Sequence, residues 1–369
     1  MSQSSQGNSK LTETTSNKVE SSFRVGIVGA GPAGAGAAYA LRGSDANVTI
    51  LEKSGGVCGR AATRRKNGCR YDHGANYIKD ADPRTAELIP ALGTKELVDI
   101  DEPVWTFNET GEITEGDSRD EHKWTWTEGI TQLAKRLLAE TDADINHRTR
   151  VADISRTEKA WVLTDTDNTD HGPFDALLIT PPAPQAVTLL EATAWQDNRL
   201  ETLIAAASDV EYRTIRTVVL HYPFTESYPW YGLVNVDKEH PIGWLSREEC
   251  KDGHVPDGES LFIAQMSPEW STNRYDDPVD VAGADTASHV AALLDDERYE
   301  NPDWIDDQGW RYALPENGIG NRAARVAESA GLYVAGDWIV GEGRVNKALW
   351  NGYDTGTRIA NALSLSQRS

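Results

Sequence analysis

The apolar positions of this chain change period along its length, and each change marks an element. Residues 24–28 form an apolar run, and residues 33–42 follow as a stretch of small and apolar residues at helical density. A second apolar run, 48–51, closes on Glu52. Strand, turn, helix and strand in this order predict a βαβ unit. Residues 84–120 hold no sustained period and are expected to be irregular and turn-rich. Between 127 and 140, Ile130, Leu133, Leu137 and Leu138 recur at helical spacing, and this helix is assigned to the second domain or its border. Two strands are predicted within 144–163. A buried strand is predicted over 174–180, where Pro181-Pro182-Ala183-Pro184 reads as a rigid, donor-poor crossover between domains. Four strand candidates follow at 214–222, 230–236, 242–247 and 261–266, separated by turn residues and expected to form an antiparallel sheet. Residues 331–335 read as a strand and 347–363 as a helix.

The fold class expected from this pattern is α/β, with two interleaved domains. Residues 23–84, 141–205 and 316–369 supply a Rossmann-like domain, and residues 85–140 and 206–315 supply a second domain built on the antiparallel sheet. Residues 1–22 are rich in Ser, Thr, Gln and Asn without an apolar core, so they are expected to be a disordered tail and not a signal peptide.

Composition narrows the setting. The 369 residues suffice for two domains with proper cores, and no stretch reads as a membrane span. A formal charge of −22 argues against nucleic-acid and anionic-membrane partners. Twelve lysines stand against twenty-four arginines, and acidic runs such as Asp295-Asp296-Glu297 and Asp306-Asp307 read as solvated surface. An acidic, lysine-poor surface is that of proteins from salt-loving microbes; the alternative is an ordinary acidic cytosolic protein. Cys58, Cys69 and Cys250 form no C-x-x-C pair and no metal spacing, which excludes the redox-disulfide chemistry of flavin disulfide reductases and fits small core residues in a reducing cytoplasm, with no metal expected.

The chemistry begins at Gly29-Ala30-Gly31-Pro32-Ala33-Gly34, set between the first strand and its helix. Gly29 permits the tight turn, Gly31 lets a pyrophosphate approach the backbone, and Gly34 and Ala38 let the helix pack close to the sheet. The helix N-terminal amides then face the phosphates, and Glu52 is placed to bond a ribose diol. A lone glycine fingerprint is weak; this strand and acid spacing make it a dinucleotide site.

Further landmarks are Lys53-Ser54-Gly55-Gly56-Val57-Cys58-Gly59-Arg60, Tyr71-Asp72-His73-Gly74-Ala75-Asn76-Tyr77 and the late Gly336-Asp337. With the fingerprint, they resemble the FAD-dependent amine oxidase superfamily and, within it, the renalase-like proteins, over nearly the whole chain after residue 22. The resemblance implies FAD, expected to be noncovalent because the last 100 residues hold no cysteine of the kind through which some amine oxidases attach flavin. It implies that Gly29, Gly31, Ala33, Gly34, Glu52 and Lys53 hold the adenosine and pyrophosphate. It implies that Gly59 and Arg60 wrap the pyrophosphate and flavin edge, that the Val151 backbone holds adenine, and that Gly336 and Asp337 bind the ribityl chain or phosphates. Arg344 and Val345 fall where a loop meets the flavin O2/N1 edge, although Arg344 also reads as a surface arginine.

On the substrate side, the resemblance places His73, Asn76 and Tyr77 near the isoalloxazine and a strand carrying Trp310 and Tyr312 beside it. His73 is either a substrate contact or a residue satisfying backbone groups. Most of the twelve tryptophans lie between Trp105 and Trp310, either lining an aromatic chamber or packing the sheet. One fingerprint leaves no second nucleotide domain, so a dihydronicotinamide would enter as substrate at the flavin face, as in renalase-like enzymes. The expected function is thus hydride transfer from a small organic donor to flavin N5 in a cytoplasmic oxidoreductase, with no protein partner specified. Alternatives are a flavin amine oxidase or isoprenoid desaturase, and a flavin-free protein-binding module of the GDP-dissociation-inhibitor kind. Before the last helix stands Ala348-Leu349-Trp350 where monoamine oxidases carry a cage tyrosine, so Trp350 would have to substitute.

Overall fold

The structure, a computed structural model, describes residues 23–80, 82–116, 121–158 and 160–366; the sequence-predicted tail lies outside them. Its centre is a five-stranded sheet with every neighbouring pair parallel, in the order Asp144–His147, Ala46–Glu52, Phe23–Val28, Ala176–Ile179, Leu332–Val334. The first four residues after the opening Phe-Arg and all four of Ala176–Ile179 are buried, the near-continuous apolar run of strands covered on both faces. One face packs the helices Pro32–Leu41, Gln132–Ala139 and Val345–Ser366. Ala33, Ala37, Leu133, Leu137, Leu349 and Ile359 share that core. The other face packs Ala183–Glu191 and Asn198–Ser208 through Leu189, Leu190 and Leu203. The helix at Gln132–Ala139 therefore sits against the fingerprint helix, on the nucleotide side of the molecule, with all four of its marker positions buried.

The fingerprint helix and the C-terminal helix approach more closely than side chains allow. A Cβ on Gly352 would lie 1.9 Å from the Ala33 carbonyl oxygen, and one on Gly356 would lie 2.4 Å from that of Ala37. The hydrogen at these positions carries the N-terminus of the long helix to the same sheet edge as the fingerprint.

The second layer is a seven-stranded sheet in the order Trp304–Pro315, Tyr212–Tyr222, Ser260–Met266, Ile242–Arg247, Gly232–Asn235, Val104–Phe107, Ile113–Thr114. The four strands expected between 212 and 266 are present. The sheet is mixed, however, because Gly232–Asn235 pairs in parallel with Val104–Phe107. The region read as irregular thus supplies two strands of this sheet and a third, Leu97–Asp99, of another, and it also holds the helix Pro83–Ala91, capped by Asp82, whose carboxylate accepts from the Thr85 amide at 3.0 Å. An Asp-Pro start was a legible helix signal; its weak apolar stripe hid the rest. The proline run is likewise corrected. Pro182 caps a helix and Pro184 lies in its first turn, where a missing N–H costs nothing. The chain crosses to the large sheet only at Tyr212.

Asp306-Asp307 is not solvated surface. Asp306 accepts from Arg64 at 2.7 Å and from the Tyr71 hydroxyl, and Asp307 pairs at 2.7 Å with the buried Arg216. Cys58 and Cys69 are buried, Cys250 is partly so, and all three are free.

Candidate active site

The carboxyl ends of the parallel strands open into a cavity of about 1320 Å³ that runs between the two sheets. Its nucleotide end is built by the fingerprint. Glu52 ends its strand, and its carboxylate accepts from the Ala30 amide and the Ser54 amide, both at 2.8 Å. Those two bonds lock the turn on either side of it and orient the remaining lone pairs. Gly31 faces open space, with no protein atom within 4 Å of where its Cβ would be, so the backbone is bare to a ligand there. Gly34 lines no part of the cavity. A Cβ on it would stand 2.0 Å from the Gly29 carbonyl oxygen, so its role is the close packing that sequence assigned to it. Gly29, Ala33, Lys53, Gly59 and Val151 line the same end.

Arg60 joins the two ends of the chain. One guanidinium nitrogen donates to Asp337 at 2.7 Å, and another donates to the carbonyl oxygens of Tyr312 and Ala313 at 3.1 and 2.9 Å. Gly336, Asp337, Arg344 and Val345 line the cavity beside this bridge. Val345 opens the 22-residue helix, whose unsatisfied amides give that wall a positive field. Arg344 is exposed and donates to the Gly343 carbonyl oxygen.

Another part of the wall is aromatic. His73, Asn76, Tyr77, Trp310 and Tyr312 line it, so these five candidates share one chamber with the nucleotide-end residues. Trp310 donates from Nε1 to the His73 carbonyl oxygen at 3.1 Å, and the two rings lie 5.4 Å apart. His73 Nδ1 sits 2.8 Å from the Ala62 carbonyl oxygen, so that nitrogen carries the proton. Burial, reinforced by the nearby Arg64 charge, pushes its pKa down to about 4, and the ring is neutral. Tyr77 packs against Tyr231 and Trp244. Trp350 stands elsewhere, donating to the Thr85 hydroxyl and covered by Arg84, and is no cavity wall.

Several lining residues escaped the sequence reading. Ile215, Val234, Trp244 and Gln265 line the cavity from the seven-stranded sheet, on the face opposite the helix Val279–Leu294. Gln265 donates to the Gly74 carbonyl oxygen at 2.6 Å. A glutamine alternating with Leu261 and Ile263 in an otherwise apolar strand was the available signal.

Behind the segment 72–77 lies a charged cluster with no solvent exposure. Lys251 donates to Glu248 at 2.6 Å and to Asp72 at 3.1 Å, and His254 bonds Glu248 at 2.9 Å. Asp72 also accepts from Thr63, Thr125 and the Ile130 amide. Burial opposes its charge, but Lys251 and His254 hold its pKa below the usual carboxylate range. The Asp72 carbonyl oxygen accepts from Asn76 at 2.8 Å, so the cluster fixes Asn76 in the wall. Asp72, Glu248 and His254 have the spacing of metal ligands, but the Lys251 ammonium already occupies that position.

The charges on the cavity wall run against those of the molecule. Lys53, Arg60, Lys79, Lys123, Arg150, Arg311 and Arg344 line it, against the carboxylates Glu52, Glu121 and Asp337. In a chain of charge −22 that is a local cationic basin, suited to a phosphorylated ligand.

Residues 27–92 match the NAD(P)-binding Rossmann-like domain, and residues 104–362 match the flavin containing amine oxidoreductases. The chain belongs to the flavin containing amine oxidoreductase family. The bare Gly31 backbone, the oriented Glu52 and the cationic wall fit the flavin cofactor of that family. Protoporphyrinogen oxidase 2 of Arabidopsis thaliana is 41% identical over 73 residues, 20% of this chain and 14% of that protein. Among solved structures, a putative protoporphyrinogen oxidase from Exiguobacterium sp. 255-15 aligns with a TM-score of 0.72 at 17% identity. That alignment covers 94% of this chain and 99% of the other. Cyclohexylamine oxidase from Brevibacterium oxydans aligns at 0.69 and 14% identity, covering 93% and 99%. At these identities the structures establish the shared fold. No helix among the described residues is long and apolar enough to cross a membrane.

Proposed function

We propose that this family member is renalase-like and oxidises a flat, dihydronicotinamide-type donor. The observation that carries the reading is the convergence of Tyr77, Trp244 and Trp310 on the cavity that Glu52 and Asp337 also line, within a cationic wall. Bound FAD supplies the hydride acceptor, and a dihydropyridine that gives up a hydride leaves as the aromatic pyridinium. The chain's own part is binding and orientation. Glu52 and the fingerprint amides hold the adenosine end, and Arg60 with Asp337 ties the cofactor wall to the strand carrying Trp310. The N-terminus of Val345–Ser366 favours negative charge on the reduced cofactor. The aromatic walls stack a planar donor and exclude water.

Primary amines fit this wall less well. Their reacting carbon is tetrahedral and is not part of a flat ring that could stack, and Trp350, the residue that could have completed a cage, bonds Thr85 instead. We also infer a cytoplasmic setting in a salt-loving organism, from the surface charge.

The test is anaerobic mixing of the yellow holoenzyme with candidate donors while flavin absorbance is followed. Dihydronicotinamide isomers reduced at the 2- or 6-position should bleach it faster than ordinary NADH or common monoamines. Trp310→Ala should slow that bleaching with FAD still bound. Rapid bleaching by a simple amine, with none by any dihydronicotinamide, would replace this reading with amine oxidation.

A further inference from the structure

Beyond the aromatic chamber the cavity continues along the segment Asn76-Tyr77-Ile78-Lys79, all four of which line it. Ile78–Lys79 pairs antiparallel with Lys123–Trp126, and the register sets Lys79 directly opposite Lys123. Like charges facing each other across two strands destabilise the pair. Both lysines are half-buried and line the cavity, so solvent screens them incompletely. Glu121 approaches Lys79 at 3.3 Å. Asp99 is taken up by His122 and by the Lys123 main-chain amide. Among the described residues no carboxylate reaches the Lys123 ammonium. Two of only twelve lysines in this acidic chain are thus held face to face at the cavity wall.

We propose that Lys79 and Lys123 form an anion subsite that binds a phosphate group of the donor. An anion between the two ammonium groups removes their repulsion and gains two charge-assisted hydrogen bonds. Asn76 to Lys79 spans about 10 Å of extended chain, so the subsite lies roughly one ribose phosphate beyond the aromatic walls. Lysine, a compact point charge with rotatable donors, suits a phosphate whose angle of approach varies. The subsite rests on the proposed function for the identity of the donor's ring, but its anion chemistry is separable from it.

Calorimetry on the FAD-loaded protein at fixed salt tests it with three unreactive probes: nicotinamide mononucleotide, nicotinamide riboside and inorganic pyrophosphate. The wild type should bind the mononucleotide at least about tenfold more tightly than the riboside, and Lys79→Gln with Lys123→Gln should collapse that ratio and abolish pyrophosphate binding. The Lys79→Arg, Lys123→Arg protein should keep both, which guards against a merely misfolded wall. Equal ratios in wild type and the glutamine variant, or no preference in the wild type, would overturn the subsite. If pyrophosphate binding depends on the lysines but no dihydronicotinamide bleaches the flavin, the subsite stands and the donor assignment falls. If dihydronicotinamides bleach it and pyrophosphate binds both proteins alike, the reverse holds.

Discussion

His73 shows how its surroundings decide what a residue can do. Its ring is buried, its Nδ1 proton is committed to Ala62, and Arg64 adds a repelling charge, so it remains neutral down to about pH 4. The unfolded chain binds a proton at this residue near pH 6.5. Acidification from about 6.5 to 4 therefore favours the unfolded state, and the stability present above that window is lost within it, by up to roughly 3 kcal/mol. His73→Asn, whose amide can replace the bond to Ala62, should flatten that part of the curve. Urea midpoints measured from pH 7 to 4 check this, and parallel curves for the two proteins would refute it. Residues of this kind were legible in sequence where spacing is short-range: Glu52 and Gly31 lie within one βαβ unit. Gln265 and Trp244 were not, because only strand pairing brings them to a wall begun near residue 73. Asp306 was misread for the same reason. Its partners Arg64 and Tyr71 are more than 230 residues away in the chain.

The glycines of the helices separate two functions at the scale of elements. Gly31 faces the cavity and Gly352 faces Ala33. Gly31→Ala meets no protein atom within 4 Å, so the fold should be unaffected while the added methyl intrudes where the cofactor approaches. Gly352→Ala drives a methyl to 1.9 Å from the Ala33 carbonyl oxygen and forces the two helices apart. Overpacking of this kind costs about 1–3 kcal/mol. The first variant should melt, without added FAD, like the wild type but bind FAD at least about tenfold more weakly, because the backbone is no longer bare there. The second should melt several degrees lower. Fluorescence titration of the stripped proteins and their thermal melts distinguish the two, and a destabilised Gly31→Ala with full FAD affinity would reverse the assignment. Elements with strong periods, such as Gln132–Ala139 and Ile242–Arg247, could be read from sequence. Pro83–Ala91 could not, since it buries only Thr85, Leu88 and Ile89 and depends on the Asp82 cap. Nor could the strand Val104–Phe107, whose parallel partner lies more than a hundred residues on and whose local partner is only the two-residue Ile113–Thr114.

At the scale of the whole molecule, the two opposing charge distributions should give opposite responses to salt. The two-sheet plan was visible in sequence because a change from βαβ to repeated period-two strands needs no long-range information. Beyond Lys53, Arg60 and Arg344 the cationic basin was not, because Lys79, Lys123 and Arg150 come from segments far apart in the chain. Over the whole chain, 58 acidic residues oppose 36 basic ones. The Debye length falls from about 30 Å at 0.01 M salt to about 3 Å at 1 M, so the mutual repulsion of those carboxylates is screened as salt rises. The melting temperature of the holoenzyme should therefore climb substantially between these limits. Inside the cavity the same screening weakens attraction, so the affinity for nicotinamide mononucleotide should fall over that range. A general stabilisation by excluded salt would raise the melting temperature without weakening the ligand. Melting curves and calorimetry on one salt series read both effects. A melting temperature flat from 0.01 to 1 M would reject the surface-repulsion account. An unchanged nucleotide affinity would remove the cationic basin from the description of binding.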